Sequence, residues 1–386
     1  MSQRTAVRTH TFTESVIRDM TRVARRHGAI NLAQGFPDFP CPQTLKDAAC
    51  RAIQDDVNQY AITWGTPGLR AALAAKYAEW YGLEVDAESE ITVTCGATEA
   101  MAAVMLAAID PGEEVVILEP FYENYGPDAI LCDAAPVFVP LSPPEFRLDH
   151  GRLADAITGR TRAIVINTPN NPSGRVFDRE ELGAVARICN EHDILAITDE
   201  IYEHIVFDGE HIPLAALPGM RERTVIISGA SKTFSVTGWR IGTVVAPPAL
   251  NSAIRKVHDF LTVGAPAPLQ DACAAGLDLL GSDYYEDLAR DYRKRRDILY
   301  QGLRDAGFRC RPPEGAYYIM ADFSALSALD DTAFSRFLAR ECGVAPVPGS
   351  SFYHRPRDGR NLVRFAFCKR TGTLERAVSR LRRFFA

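Results

Sequence analysis

The chain has 386 residues, of which 47% are hydrophobic and 24% are charged, and its formal net charge is −6. This length favours two domains, and the acidic balance argues against a surface for nucleic acid or anionic membrane. The nine cysteines and eight histidines form no CxxC pair and no HExxH motif, so we expect no metal site.

The chain begins with MSQRTAVRTHTF, which lacks the apolar segment of a secretory signal. No apolar run is as long as a membrane span requires, and residues 100–109 are among the longest. We therefore expect a cytoplasmic protein with no membrane partner, in which most cysteines are reduced core residues.

Short apolar, β-branched runs recur between residues 91 and 245, and turn residues bound each of them. Helix-like segments at residues 99–109 and 179–191 separate several of these runs. Apolar strands that alternate with helices predict an α/β fold whose mostly parallel sheet is covered on both faces. The predicted strands are residues 91–94, 115–118, 163–167, 194–198, 225–228 and 241–245.

The pattern changes after about residue 283. A charged helical stretch at residues 284–306 leads to shorter strands near residues 316–320 and 362–367. This change predicts a smaller α+β domain that also includes the N-terminal segment. We place the large domain at residues 44–282 and the small domain at residues 1–43 plus 283–386.

In open α/β sheets, ligands bind at the carboxyl ends of the strands, so the residues that follow each predicted strand are informative. The small-residue turn 95–98 leads into a helix and suits a phosphate, although a plain turn capped by Thr98 has the same pattern. The next strand end, residues 119–122, carries Phe121 and Tyr122, either of which could stack on a ligand or pack in the core.

The other strand ends add polar groups of different chemistry. The segment TPNNPSG presents an Asn amide, Asp199 follows a buried strand, and Lys232 stands in SGASKTFSVTGWR. Lys232 is either an ordinary surface lysine or one placed for chemistry. Together these groups match a ligand with a phosphate, a planar ring, a cationic nitrogen and an electrophilic carbonyl. Pyridoxal phosphate is such a molecule, and a lysine amine joins its aldehyde as a Schiff base.

Motifs spread over nearly the whole chain resemble those of class I aminotransferases of pyridoxal-phosphate fold type I. Within that family, the resemblance is to the kynurenine, glutamine and methionine aminotransferase branch. It implies a mostly parallel seven-stranded sheet, a smaller α+β domain, and a homodimer with active sites shared between subunits. The motifs are INLAQGFPDFP (30–40), NQYAITWGTPGLR (58–70), TCGATEA (94–100), NTPNNPSG (167–174), DEIY (199–202), SKTFSVTGWRIG (231–242) and VRFAFCK (363–369).

The resemblance, carried over position by position, implies a set of cofactor contacts. Lys232 would bind the cofactor covalently and move the proton at the substrate Cα, and Asp199 would pair with the protonated ring nitrogen. Asn171 and Tyr202 would hydrogen-bond the ring oxygen, and Tyr122 would stack on the ring. The phosphate would be held by Gly96, Ala97, Thr98, Arg240 and, from the neighbouring subunit, Tyr60.

One position departs from the family's pattern. Gly229 stands where much of the family has a phosphate-binding serine, and either Ser228 or Ser231 would take over that contact. The same glycine argues against a Ser-x-x-Lys nucleophile, which needs serine at this position.

The resemblance also implies a substrate site. Arg364 would bind the substrate α-carboxylate as a two-point fork, with Gly35 and Asn171 beside it. Arg364 could instead form a salt bridge within the small domain. No motif places a second arginine for a distal carboxylate. The candidates for lining the side-chain pocket are Phe36, Tyr60, Trp64 and Phe352.

The predicted function is an aminotransferase of amino acid metabolism. It would move the amino group of an aromatic, methionine or glutamine-like L-amino acid to a 2-oxo acid in two half-reactions. A carbon–sulfur β-lyase that depends on pyridoxal phosphate remains the alternative, because it begins with the same Cα deprotonation. A non-catalytic regulator that binds the cofactor is less favoured, since about 30 residues before the first motif are too few for a DNA-binding domain.

Overall fold

The computed structural model describes residues 4–386. The strands are β1 Ile30–Asn31, β2 Ile91–Thr94, β3 Glu114–Glu119, β4 Ala135–Pro140, β5 Thr161–Asn167, β6 Leu195–Asp199, β7 Thr224–Gly229, β8 Gly242–Val245, β9 Arg309–Cys310, β10 Tyr318–Asp322, β11 Val344–Ala345, β12 Val347–Pro348 and β13 Leu362–Ala366. The helices are α1 Val16–His27, α2 Gln43–Gln54, α3 Pro67–Tyr81, α4 Ala97–Ala108, α5 Tyr125–Leu131, α6 His150–Asp155, α7 Arg179–His192, α8 Ala230–Thr233, α9 Pro248–Thr262, α10 Ala267–Leu279, α11 Ser282–Asp305, α12 Asp331–Phe337 and α13 Thr371–Phe385.

The large sheet has seven strands in the order β2-β8-β7-β6-β5-β3-β4. Neighbouring strands are parallel except on either side of β8, which runs antiparallel to both β2 and β7. The predicted α/β fold with a mostly parallel seven-stranded sheet is therefore confirmed. Within residues 4–386, no helix combines the length and the apolarity that crossing a bilayer would require.

Alternate side chains of β3 pack on opposite faces of this sheet. Val116 and Leu118 belong to one apolar cluster with residues of α7, and Val115 and Ile117 belong to another with residues of α4. Burying each such side chain stabilises the fold by roughly 1.5–3 kcal/mol. Because both faces are covered, the strand ends are held in fixed positions along one edge of the sheet.

The edge strand β4 was not among the predicted strands. Most of its residues are half-buried, and it contains Pro136 and Pro140, which are depleted from central strands. A proline-containing, partly exposed run resembles a turn in sequence, and only its parallel pairing with β3 makes it a strand.

A smaller antiparallel sheet has the order β12-β13-β10-β9, and β1 pairs in parallel with β11 beside it. The N-terminal segment therefore folds against the C-terminal part, where the Leu32 carbonyl accepts a hydrogen bond from the Ala366 N–H at 2.7 Å. The long helix α11 packs on α13 over this sheet. The division into residues 44–282 and residues 1–43 plus 283–386 stays a prediction.

The backbone of strand β8 packs directly against the turn that follows β2. A Cβ atom on Gly242 would lie 2.3 Å from the carbonyl carbon of Gly96 and 2.5 Å from the nitrogen of Ala97. These are backbone atoms, so any side chain at position 242 would displace the turn that opens α4.

We expect Gly242→Ala to lower the free energy of unfolding by about 1–3 kcal/mol, because the added methyl overpacks a backbone contact. Chemical denaturation monitored by circular dichroism measures this change. Gly183→Ala is the matched control, since a Cβ there meets its nearest atom at 3.8 Å within α7. The control should leave stability unchanged or raise it by up to about 1 kcal/mol. Equal stability of the Gly242→Ala variant and the wild type would contradict the expected clash.

Candidate active site

A cavity of about 440 Å³ opens at the carboxyl edge of the large sheet. Residues after β2, β3, β5, β6 and β7 line one side, and residues of α1, β10, β13 and the 34–36 segment line the other. Because β8 is antiparallel, Arg240, which precedes it, lies at the same edge. The predicted site residues that line the cavity are Gly35, Ala97, Thr98, Tyr122, Asn171, Asp199, Tyr202, Ser231, Lys232, Arg240 and Arg364.

Lys232 lies in the short helix α8 directly after β7, and its side chain is half-buried in the cavity. Its Nζ is 5.8 Å from the ring centre of Tyr202. Burial lowers the pKa of Lys232 to about 8, and the positive charges of Arg240 and Arg364 act in the same direction. A lowered pKa leaves more of the amine neutral, as a nucleophilic lysine requires.

Gly229, at the departure from the family's pattern, contacts the neighbouring strand closely. A Cβ atom there would lie 2.6 Å from the carbonyl oxygen of Ile241 and 2.9 Å from the Cα of Gly242. In this chain the backbone of residues 241–242 therefore occupies the space that a side chain at position 229 would need.

Asp199 ends β6 and is buried. Its carboxylate accepts hydrogen bonds from the Tyr125 hydroxyl at 2.6 Å and from the Ile201 N–H at 3.2 Å. Burial raises the pKa of Asp199, although both hydrogen bonds and the charge of Lys232 oppose this rise. A cationic donor placed beside Asp199 would favour its ionised form. Tyr125 was not among the predicted site residues, and its only sequence signal is the spacing from Tyr122 in FYENY.

Arg364 lies on β13 and has no exposed surface. Its Nη1 donates to Oδ1 of Asn171 at 2.7 Å, and its Nη2 donates to the Ala33 carbonyl at 2.6 Å. Its Nε is buried without a partner. No carboxylate within residues 4–386 pairs with this guanidinium, so the alternative of a small-domain salt bridge has no support in the described chain. A buried cation with an unused N–H suits a carboxylate ligand.

Gly35 contacts two tyrosines, Tyr317 and Tyr318, of which Tyr318 lines the cavity. The Tyr317 hydroxyl donates to the Gly35 carbonyl at 2.8 Å, and a Cβ atom on Gly35 would lie 1.9 Å from the Tyr318 hydroxyl oxygen. The Tyr318 hydroxyl is in turn 3.1 Å from that of Tyr202. Tyr318 was not predicted, because in sequence it is one apolar residue of an ordinary strand. The close approach shows why position 35 takes no side chain.

An anion-binding corner lies at the start of α4. Gly96 has a φ of +85°, and a Cβ atom on it would lie 2.1 Å from Nη2 of Arg240. The glycine therefore lets the guanidinium lie directly on the turn. The first N–H groups of α4 have no acceptor within the helix, and Thr98 and Ser231 complete the corner. Free N–H groups beside an arginine suit a phosphate.

Three predicted cofactor contacts are not part of the cavity lining: Gly96, whose turn lies against Arg240, and the side chains of Ser228 and Tyr60. Ser228 is buried, and its hydroxyl donates to Glu203 at 2.6 Å, which in turn pairs with Lys76 at 2.6 Å. Of the two candidate serines, Ser231 is the one that lines the cavity. Tyr60 is 88% exposed on the single chain, away from this cavity.

The other three candidates for lining the side-chain pocket were Phe36, Trp64 and Phe352. Phe36 lines the cavity, whereas Trp64 and Phe352 do not. Phe352 is fully buried, with its ring centre 4.8 Å from the guanidinium carbon of Arg364, so it packs behind that residue. Trp64 packs under Arg255 at 4.9 Å. The cavity instead includes Ser15, Ile17 and Arg18 of the N-terminal segment, which were not predicted.

These groups fit pyridoxal phosphate by their chemistry. The corner at Gly96 and Arg240 suits the phosphate, buried Asp199 suits a ring nitrogen that carries a proton, and Lys232 suits the aldehyde carbon. The unpartnered Nε of Arg364 leaves a separate place for the carboxylate of an amino acid.

Comparison with known proteins gives one consistent picture. The family model described as aminotransferase class I and II matches residues 27–381. A probable N-succinyldiaminopimelate aminotransferase from Mycobacterium tuberculosis is 42% identical, with 98% of each chain covered. The methionine aminotransferase of Escherichia coli is 40% identical over 95% of each chain. The human kynurenine–oxoglutarate transaminase 1 is 36% identical over 95% of this chain and 94% of the relative.

Solved structures agree with these relatives. The N-succinyldiaminopimelate aminotransferase from M. tuberculosis superposes with a TM-score of 0.96 at 42% identity, covering 99% of this chain and 100% of the other. A methionine aminotransferase from E. coli gives a TM-score of 0.95 at 38% identity, with the same coverage. The aspartate aminotransferase of Thermus thermophilus gives 0.92 at 34% identity over 99% of each chain.

Because its pKa is lowered, Lys232 should react with amine reagents at a lower pH than an ordinary lysine does. In protein stripped of cofactor, trace acetic anhydride should label Lys232 half-maximally near pH 8, because the neutral amine is the reactive form. A lysine-containing model peptide added as an internal reference, with the ordinary lysine pKa near 10.4, should require a pH about two units higher. Mass spectrometry of peptides across a pH series measures both. Half-maximal labelling of Lys232 above pH 10 would contradict the effect of burial.

Proposed function

The chain belongs to the class I and II aminotransferases and transfers amino groups, and we propose that it does so with pyridoxal 5′-phosphate in two half-reactions. The observation that carries this proposal is the convergence of Lys232, Asp199 and Arg364 on one cavity. The names of the relatives all describe amino transfer and favour it over the β-lyase alternative.

The bound cofactor would supply an aldehyde carbon that takes up the amino group and a ring that withdraws electrons from the substrate Cα. Asp199 would keep the ring nitrogen protonated, and the Tyr125 hydroxyl would hold the Asp199 carboxylate in place. Tyr202 and Asn171 would donate to the ring oxygen, and Tyr122 would cover one ring face.

Lys232 would act as the base that takes the proton from the substrate Cα and returns it. An amine whose pKa is lowered towards neutrality both accepts and releases a proton readily at working pH. The side chain is held between the anion corner and the tyrosines Tyr202 and Tyr317, whose ring centres lie 5.8 and 5.9 Å from its Nζ.

The phosphate would lie in the corner formed by Gly96, Ala97, Thr98, Ser231 and Arg240. Ser231 would make the phosphate contact that, in much of the family, a serine at position 229 makes. This assignment leaves Ser228 with Glu203, beneath the cavity.

The substrate α-carboxylate would bind Arg364. Its Nε is free, and Asn171 and the Ala33 carbonyl orient the guanidinium plane. Gly35 lies beside this position. The fork gives a carboxylate two parallel hydrogen bonds and fixes the direction in which the Cα–H bond points.

An aromatic, methionine or glutamine-like donor is proposed from the same cavity. Its lining includes the apolar side chains of Ile17, Phe36, Met101 and Tyr122. Such a wall would stabilise an uncharged side chain by removing apolar area from water. Relatives named for methionine and kynurenine support the same class.

A homodimer with shared sites is also proposed. Phe260 is 92% exposed and Tyr60 is 88% exposed, and Ile62, Leu261 and Val263 are exposed beside them in sequence. His258 joins the two segments, since its Nε2 is 2.7 Å from the Thr63 carbonyl. The Cys95 thiol donates to the Gly264 carbonyl, so this apolar surface adjoins the anion corner. A second copy that covers this surface would bring its own Tyr60 near the phosphate position.

The half-reaction tests the proposed chemistry. Purified protein loaded with cofactor should lose its visible absorbance when methionine or an aromatic amino acid is added alone, and a 2-oxo acid should restore it. Lys232→Ala should lose nearly all turnover yet still bind added cofactor. Normal turnover in that variant would overturn the proposal. Release of ammonia and pyruvate from cysteine conjugates, with the absorbance unchanged, would favour the β-lyase.

The homodimer is tested by placing a charge on the exposed apolar surface. We expect Phe260→Asp to convert the dimer to a monomer and to lower cofactor affinity, because a buried unpaired charge would weaken the interface. Light scattering and cofactor titration measure these effects. Leu329→Asp is the control, since Leu329 is exposed between β10 and α12 and should change neither. An unchanged mass for Phe260→Asp would argue against this interface.

A further inference from the structure

His258 is a buried histidine that joins two segments of the proposed cofactor site. It lies on α9, and its side chain has no exposed surface. Its Nδ1 is 3.0 Å from Oε1 of Glu99, which lies in the first turn of α4. Its Nε2 is 2.7 Å from the carbonyl oxygen of Thr63, in the segment that also carries Tyr60. The ring therefore bridges the helix that starts at the anion-binding corner and the segment proposed to reach the partner subunit.

Both partners of the imidazole ring are hydrogen-bond acceptors. A carbonyl oxygen can only accept, and so can an ionised carboxylate. The Glu99 carboxylate acts as an acceptor on its other oxygen too, since Oε2 accepts from the Cys95 N–H at 3.0 Å. A neutral imidazole has one N–H and satisfies only one of these acceptors, whereas an imidazolium donates to both. The geometry therefore favours the protonated form of His258.

The charges around the ring favour the same form. Burial lowers the pKa of His258, but the hydrogen bond and the charge of Glu99 oppose this effect. The Thr63 carbonyl and the charge of Asp259, the next residue on α9, act in the same direction as Glu99. Together they raise the pKa of His258 above its ordinary value, so the ring keeps its proton to a higher pH than an ordinary histidine does.

The other titratable groups beside the ring have partners elsewhere. Arg255, one turn before His258 on α9, donates to the Thr92 hydroxyl and to two backbone carbonyls at or before the start of β2. The Cys95 thiol donates to the Gly264 carbonyl. Within residues 4–386, Glu99 is therefore the one carboxylate that pairs with this histidine.

Glu99 lies where its charge affects the anion-binding corner. Its carboxylate holds the N–H of Cys95, the residue directly before Gly96, and its own N–H donates to the Gly96 carbonyl at 3.1 Å. A carboxylate without a compensating charge in this turn would repel a phosphate bound there. An imidazolium beside the carboxylate cancels that charge and leaves the N–H groups of the turn available.

Thr262 offers the neutral ring a different partner. Its hydroxyl is 3.3 Å from Nδ1 of His258 and can donate to that nitrogen once the nitrogen carries no proton. The ring would then keep its bond to Thr63 and lose its bond to Glu99. Loss of one proton thus leaves a full negative charge beside the anion-binding corner.

We propose that His258, as an imidazolium, is a positioning residue for the cofactor phosphate, which binds more weakly once this histidine loses its proton. It acts through Glu99, whose charge it cancels and whose hydrogen bond to the phosphate-binding turn it maintains. The affinity for the phosphate is therefore highest below the pKa of His258 and falls as the pH rises through it. This inference rests on the proposed function, because the phosphate is that of the cofactor.

The test is the binding of pyridoxamine 5′-phosphate to protein stripped of cofactor. This ligand has no aldehyde, so Lys232 forms no covalent bond to it. We expect His258→Gln to bind it about tenfold more weakly than wild type at about pH 6.5, because Glu99 keeps its charge. The two affinities should converge at about pH 9, where the wild-type ring is neutral as well. Pyridoxamine, which lacks the phosphate, should bind both proteins alike; calorimetry measures all of these affinities.

Glu99→Gln separates charge compensation from packing. The amide oxygen can still accept from the Cys95 N–H, but the side chain has no charge. We expect the double variant His258→Gln/Glu99→Gln to recover most of the lost affinity. Glu99→Gln alone should depend less on pH than wild type does. NMR of the histidine rings should give a pKa of His258 above its ordinary value of 6.5 in wild type and a lower one in Glu99→Gln.

His192→Gln is the matched control, because His192 is an exposed histidine at the end of α7 that does not line the cavity. It should bind both ligands as wild type does. Equal phosphate-ligand affinity of His258→Gln and wild type, or no recovery in the double variant, would overturn the role of His258.

The wild type and Glu99→Gln keep the inference testable if His258→Gln does not fold. An unchanged pKa of His258 in Glu99→Gln, or an unchanged pH dependence of binding, would overturn it. If the wild type binds no pyridoxamine 5′-phosphate at any pH, the proposed function fails and this inference fails with it. The two failures are therefore distinguishable.

Discussion

The cavity depends on the hydrogen bonds that the buried guanidinium of Arg364 donates. This guanidinium has no exposed surface and no carboxylate partner in the described chain, and it binds Asn171 of the large sheet and Ala33 of the N-terminal segment. A buried cation without an anionic partner carries an uncompensated desolvation cost, so an anion that bound beside it would stabilise it. Its charge also helps to lower the pKa of Lys232. In the proposed function, one side chain would thus link substrate binding to the reactivity of Lys232.

A second polar network lies beneath Lys232. Glu203 accepts hydrogen bonds from buried Lys76, half-buried Tyr81 and buried Ser228 at 2.6 to 2.7 Å. Burial alone would raise the pKa of Glu203, but the charges of Lys76, His204 and His211 and the hydrogen bond from Lys76 together outweigh it and hold that pKa below its ordinary range. This network ties α3 to the end of β7. Because α8 follows β7 directly, it holds the backbone that carries Lys232 while making no contact with the cavity itself.

The cavity combines two environments that suit different parts of a substrate. Near Arg364 and Lys232 the groups are buried and hydrogen-bonded, so the reacting end of a substrate is held rigidly. At the start of α1, the lining residue Arg18 is exposed. In the proposed function, the buried part would carry the chemistry common to all substrates, and the exposed part would accommodate different side chains.

Much of the fold and part of the site followed from the sequence alone. Strand β2 was predicted at its observed bounds, and β3 and β7 extend the predicted runs by one residue at each end, because fully buried strands are continuous apolar runs. Asp199 directly follows one such run and the small-residue turn at Gly96 follows another, while Lys232 lies in the short helix that begins after a third. The sequence therefore determined which groups stand at the carboxyl edge of the sheet, since parallel strands bring those ends together.

Only the tertiary structure decided the rest. The antiparallel direction of β8 brings Arg240 to the cavity, and strand direction depends on long-range pairing rather than on local sequence. Ser228 and Ser231 are equivalent in a motif, yet one faces Glu203 and the other the cavity, because the chain turns from strand to helix between them. Tyr125, Tyr318 and Arg18 join the site from three separate elements. Their roles arise from contacts between residues far apart in the chain, which no periodicity in the sequence records.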